Sequence, residues 1–348
     1  MVTQMPTRSQ IEKLCKKIGS DPLLVQGAGG NISWKENNTL WVKASGTWLC
    51  NASQENIFLP VDLVFIREAI SQGNFDIKPR VNIETSLRPS IETLLHALIP
   101  QPVVLHLHAI DILCHLVNTE YRKIFRSRLP SNLNYEIVDY CKPGESLAKD
   151  VFQAVSSNKE AKVIFLLNHG LVISGESVEE VEDTLYFLIN ELKSNVLINE
   201  KSNSRAMDYS IAESLNHYGY VHSEFDCFNM LSTNSNLISI VKHKWALFPD
   251  HVVFLGAKAL IGDINFIESY LQNNKEERPP FIFCENIGTF CLSTVSSAQK
   301  DQLKCFYDVA VRQRLISNMV VLNEQSIEEL MDWDAEKYRI KLSLSLKE

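Results

Sequence analysis

The stretch VVLHLHAI, residues 103–110, constrains this chain most. It is a β-branched apolar run short enough for a buried strand, yet it carries two imidazoles two positions apart. Successive side chains of a strand point to opposite faces, so His106 and His108 project from the same one and can converge on a single metal ion. Two such nitrogens make half a zinc site. Packing alone also produces the pattern, as two partly buried, hydrogen-bonded histidines.

A second apolar run, KVIFLLNHGLVISG, reads as another buried strand with an Asn168-His169-Gly170 interruption in its middle. His169 could supply a third ligand, completing a cage with the open coordination position that a catalytic zinc needs. A satisfied core histidine is the alternative. Glu92 lies near the start of the helix expected from Ser90 through PSIETLLHALI, where the helix dipole favours the carboxylate form. It could ligate metal or accept protons there, or simply interact with free backbone N–H groups at the helix start. His96, four residues on, shares its face and reads as structural.

Gly27, Gly29 and Gly30 precede Asn31 in QGAGGNIS, which is not GxGxxG and leads into a strand, against a dinucleotide fingerprint. No Walker A sequence occurs. Such a loop can still form a nest of N–H donors for a phosphate, with Asn31 and the Ser45-Gly46 turn adding donors. A tight loop without a ligand is the other reading.

The length of 348 residues, with 45% hydrophobic and 22% charged, excludes disordered, collagenous and low-complexity classes and favours two domains. A boundary is expected between about 200 and 235, where the text turns polar, giving units of 8–230 and 235–348. Thirty-four Lys plus Arg against 42 Asp plus Glu give a formal charge of −8, which disfavours nonspecific binding to nucleic acid or anionic membrane. Eight cysteines without a CxxC pair exclude a zinc ribbon and fit a reduced, cytoplasmic setting. The N-terminus lacks a signal pattern, and no run approaches the roughly 18 apolar residues of a membrane span.

Helices are expected over SQIEKLCKKIG, VDLVFIREAIS and VEDTLYFLINEL, the last behind a Ser177/Glu180 capping box. ISWKENNTLWVKAS reads as a hairpin around Asn37-Asn38. Further on, HVVFLGAK reads as a strand, FIFCENIGTFCL as two strands turned at 286–288, QLKCFYDVAVRQRL as a helix, and SIEEL onward as a surface helix with a frayed tail. His243 and His251 fall in expected loops.

In this order, QGAGGNIS, KASGT, PSIETLLHALIPQPVVLHLHA and LLNHGLVISG resemble the class II aldolase/adducin family over residues 8–225. The resemblance implies a three-layer α/β/α domain around a mostly antiparallel sheet, followed here by a smaller C-terminal α/β extension. Matched by position, it implies metal ligands at His106, His108 and His169, and a catalytic carboxylate at Glu92. Phosphate-binding positions fall on Gly30, Asn31, Ser45, Gly46 and Ser90, but Ile91 stands where the aldolases have a second serine, which alters that grip. The spacing from Glu92 to His106, and the region from FPDHVVFLGAKAL onward, look closest to the aldolase part of bifunctional rhamnulose-1-phosphate aldolase/alcohol dehydrogenases.

The implied activity is that of a zinc-dependent lyase working through a metal-stabilised enediolate of a sugar phosphate or related hydroxyketone. Ketose-phosphate epimerases and dehydratases use the same cage, and adducins are noncatalytic interaction modules in which the ligands would be eroded. The resemblance also implies a homo-oligomer and a tyrosine acid, for which Tyr121 and Tyr140 are candidates.

Overall fold

Seven β-rich segments pair into one sheet: β1 (Asn31–Glu36), β2 (Thr39–Lys43), β3 (Phe58–Asp62), β4 (Val103–Leu107), β5 (Tyr135–Val138), β6 (Val163–Leu166) and β7 (Gly170–Gly175). Their order is β3-β2-β1-β4-β7-β6-β5, with every pair antiparallel except β5 and β6. The computed structural model describes residues 6–198, 209–275, 278–331 and 333.

Alternation along the strands assigns the two faces. Val103, Leu105 and Leu107 of β4 join Ile11, Leu14, Ile18, Val181, Leu185 and Leu188 in one core cluster, which seats the helices Arg8–Gly19 and Val178–Glu191. Val104 points the other way, into a cluster with Leu95, Leu147 and Val151 from the helices Thr93–Leu98 and Glu145–Ser157. The result is the expected α/β/α layering. The β1–β2 hairpin turns at Asn37, whose φ of 53° suits the short Asn side chain, and stacks Trp34 on the opposite Trp41 at 5.6 Å.

A second sheet holds β8 (Tyr220–His222), β9 (Leu260–Gly262), β10 (Phe281–Cys284) and β11 (Gly288–Leu292), in the order β8-β11-β10-β9. One of its faces covers a satellite cluster around Tyr220, Ile267 and Phe290. The other sends Phe281 and Phe283 into the same core cluster that holds Ile11 and Leu105, together with Trp245 and Phe306. The extension thus shares its hydrophobic core with the first sheet. Among the described residues, no helix is long and apolar enough to cross a membrane.

Four local expectations are corrected. KVIFLLNHGLVISG is not one interrupted strand but the antiparallel hairpin β6–β7, because Asn168 takes φ +50° and reverses the chain. HVVFLGAK is not a strand: Pro249–Leu255 is a helix with Pro in its first turn, ended by Gly256 at φ +92°. All seven of its residues are buried, so it has no polar face to betray a helical period. His251 belongs to this helix and His243 ends the helix Ser235–His243, so neither is a loop residue.

The other shifts are small. The helix expected from Ser90 begins at Thr93, with Glu92 at its cap position. LSTNSN marks a helix–helix junction, where the Asn234 side chain caps Ser235–His243. The C-terminal helix Glu324–Met331 is anchored by buried Leu330 against Ala246, Val252 and Leu322, and the tail beyond residue 333 lies outside the described residues.

Candidate metal centre

β4 and β7 are antiparallel neighbours, with His106 opposite Val172 and Leu107 opposite Leu171, so the turn preceding β7 lies beside the end of β4. His106 and His108 therefore meet His169, which occupies that turn. The three buried rings offer nitrogens that all lie within 4.8 Å of one another. Nε2 of His106 is 3.2 Å from Nε2 of His108. Gly170 is what lets them close: a Cβ there would sit 2.7 Å from the Leu107 carbonyl oxygen, 2.8 Å from His106 Cε1 and 3.0 Å from His108 Cδ2.

Second contacts set the tautomers. His106 Nδ1 lies 3.1 Å from the Leu171 carbonyl oxygen, so Nδ1 donates and Nε2 keeps its lone pair. His108 Nδ1 faces Asp250 Oδ2 at 3.6 Å, just beyond hydrogen-bond distance, while its Nε2 faces the shared point. Glu92 Oε1 is 3.5 Å from His106 Nε2 and 3.3 Å from His169 Nε2, and the residue is 7% exposed. Three imidazole nitrogens with a carboxylate beside them and no thiolate make a donor set that fits zinc or a similar divalent cation.

The cluster floors a small pocket whose wall includes Gly30, Ser45, Gly46, Ser90 and Ile91. Gly27 and Gly30 take φ +56° and +66°, and Gly29 donates to the Gln26 carbonyl oxygen at 2.9 Å, so the glycine loop folds tightly over His108. Asn31 is one residue further into β1, buried, and outside the pocket wall; its side-chain amide has no hydrogen-bond partner among the described residues. Ser90 Oγ accepts the Glu92 backbone N–H at 3.2 Å, positioning the carboxylate. His96 is buried with Nδ1 2.8 Å from Ser33 Oγ, and burial pushes its imidazole well below the usual range, so it is a neutral core residue. Neither Tyr121 nor Tyr140 lines the pocket.

Two residues of this site were not singled out from the sequence. Lys43, at the end of β2, lines the pocket and donates to the Ala28 and Thr47 carbonyl oxygens at 2.9 and 2.7 Å, tying the glycine loop to the Ser45-Gly46 turn. Its signal was a lysine at the head of KASGT in an otherwise apolar strand. Asp250 comes from the extension, and reading HVVFLGAK as a strand concealed it.

The sequence profile of the class II aldolase and adducin N-terminal domain matches residues 9–194, and the chain belongs to that family. Over 202 residues it is 30% identical to a Bacillus subtilis (strain 168) protein described as the uncharacterized oxidoreductase YuxG, a match covering 53% of this chain and 29% of that protein. The chain thus spans less than a third of that relative. Among solved structures, the N-terminal class II aldolase domain of a conserved Thermoplasma acidophilum protein is 26% identical, with a TM-score of 0.45 over 53% of this chain and 91% of that one. L-Fuculose-1-phosphate aldolase from Thermus thermophilus is 14% identical, with a TM-score of 0.36 over 54% of this chain and 94% of that one.

Proposed function

We propose that this chain is a zinc-dependent aldolase that cleaves or forms a sugar phosphate or related hydroxyketone. The observation that carries the reading is the convergence of His106, His108, His169 and Glu92 on the floor of one pocket, under a glycine loop. A divalent cation held by the three imidazoles would supply Lewis acidity to the oxygens of a hydroxyketone. Glu92, buried and within 3.5 Å of two of those rings, is the group that takes or returns the proton on the adjacent carbon. Gly30, Gly46 and the Ser45 and Ser90 hydroxyls orient an anionic head group, with Asn31 completing the loop behind them. Ile91 on the same wall supports a looser grip on phosphate than two serines would give.

A homo-oligomer in which a second copy brings a tyrosine acid belongs to the same reading, and neither Tyr121 nor Tyr140 lines the pocket. A cytoplasmic setting is part of the same reading, supported by eight free cysteines. So is a division into units 8–230 and 235–348, with the second packed onto the first through their shared core. The test is solvent exchange. Zinc-loaded protein in deuterium oxide should exchange a hydroxymethyl proton of dihydroxyacetone phosphate, and a screen of ketose phosphates should release that product. A phosphorylated product without dihydroxyacetone phosphate would redirect the reading to epimerase or dehydratase chemistry, and neither exchange nor turnover would overturn it.

A further inference from the structure

The family match ends at residue 194, yet the region beyond it reaches the metal centre at three separate points. Asn168, the left-handed turn residue before His169, donates its side-chain amide to the carbonyl oxygens of Leu247 and Val320, both at 3.0 Å. Gly27 packs against Ala298, whose Cα and Cβ would each be 3.4 Å from a Cβ at that position. Asp250 faces the third point, His108 Nδ1, and is 4% exposed.

The Asp250 contact is the chemically specific one. Its helix is buried on every side, and Gln302 from the helix Ser297–Ala310 approaches the same Oδ2 with its Nε2 at 3.5 Å. A buried carboxylate held in this way and aimed at one nitrogen of an imidazole selects the tautomer with the proton on that nitrogen. It also raises the basicity of the other nitrogen. Gly29 borders this contact: a Cβ there would touch His108 Nδ1 and Asp250 Oδ2 at an ordinary 3.8 Å, and what excludes a side chain is the Gln26 carbonyl oxygen at 2.8 Å.

We infer that Asp250 is a positioning residue for the metal centre: it fixes His108 as the Nδ1–H tautomer and tightens the hold of Nε2 on the cation. The C-terminal region is then the outer shell of the site, not an appendage to a finished one. This rests on the metal-dependent reading above. The test is zinc affinity measured on the full chain by competition with a chromophoric chelator, comparing the wild type with Asp250→Asn, Asp250→Glu and His108→Ala.

Asp250→Asn should weaken zinc binding by about 10–100-fold, the usual cost of losing such a partner. Asp250→Glu should recover part of that loss, and His108→Ala should lose more. Wild type that binds no zinc would remove the metal reading itself. Wild type that binds tightly, with Asp250→Asn within about twofold of it, would leave the metal reading standing and overturn this inference. Histidine ¹⁵N spectra of the zinc-loaded wild type give a readout independent of any variant's folding. His108 should show its proton on Nδ1, and a proton on Nε2 would equally overturn the assignment.

Discussion

Replacing Gly170 with alanine adds one methyl group at the most crowded point of the metal centre. Its Cβ would have to occupy space 2.7 Å from the Leu107 carbonyl oxygen and 2.8 Å from His106 Cε1. The oxygen belongs to backbone at the β4–β7 pairing, where Leu107 faces Leu171, so it has little freedom to retreat. Real Cβ contacts require several tenths of an ångström more. Relief must come from separating the strands or rotating the rings of His106 and His108. Overpacking of this kind costs about 1–3 kcal/mol of stability. A ring displaced by such an amount also loses its shared focus with His169, so zinc affinity should fall by at least about 10-fold, comparable to the loss of an outer partner. Thermal melting of the metal-free protein reads the first effect and chelator competition reads the second. An alanine variant that melts and binds zinc like the wild type would refute the packing argument and with it the claimed convergence of the three rings.

Glu92→Gln should keep the fold and most of the zinc while lowering turnover or solvent exchange by at least about 100-fold, because the amide is isosteric but not basic; unchanged rates would remove Glu92 from the chemistry. Burial raises the Asp301 carboxyl from 3.8 to about 6, so the folded chain binds this proton more tightly than the unfolded one, and Asp301 favours folding increasingly as pH drops from above 6 toward 4. Asp301→Asn should therefore melt no lower than the wild type at pH 7.5, with the difference moving in the wild type's favour by pH 5; a shift in the other direction would contradict this. Truncation after residue 230 should yield aggregated or metal-deficient protein, since it strips Trp245, Phe283 and Phe306 from the shared core and Asp250 from His108. A soluble, fully active monomer from that truncation would show the extension to be dispensable.

The parts of the site legible in the sequence are those encoded by local period. His106 and His108 share a face because a strand alternates, and Glu92 lies at a helix start because apolar spacing sets the helix after it. The Asn-His-Gly interruption was visible as an anomaly, but only pairing partners reveal that it is a turn and that Gly170 is small to admit two rings. Asp250 was out of reach for a different reason. Its helix is buried on all sides, so its apolar run carries no period to separate helix from strand, and its partner His108 is far away in the chain. Lys43 shows a third limit, since its ammonium bridges the nearby Thr47 carbonyl oxygen to that of Ala28 in the glycine loop, which no local pattern brings near.

The central claim is that His106, His108 and His169 hold one divalent cation. The most direct measurement is elemental analysis of protein loaded with zinc and dialysed, taken for the wild type and for a variant with all three histidines replaced by alanine. Close to one zinc per wild-type chain, and less than about a tenth in the variant, is the outcome that three ligands in one cage require. A wild type that retains none, or a triple variant that retains its full complement, would contradict the account.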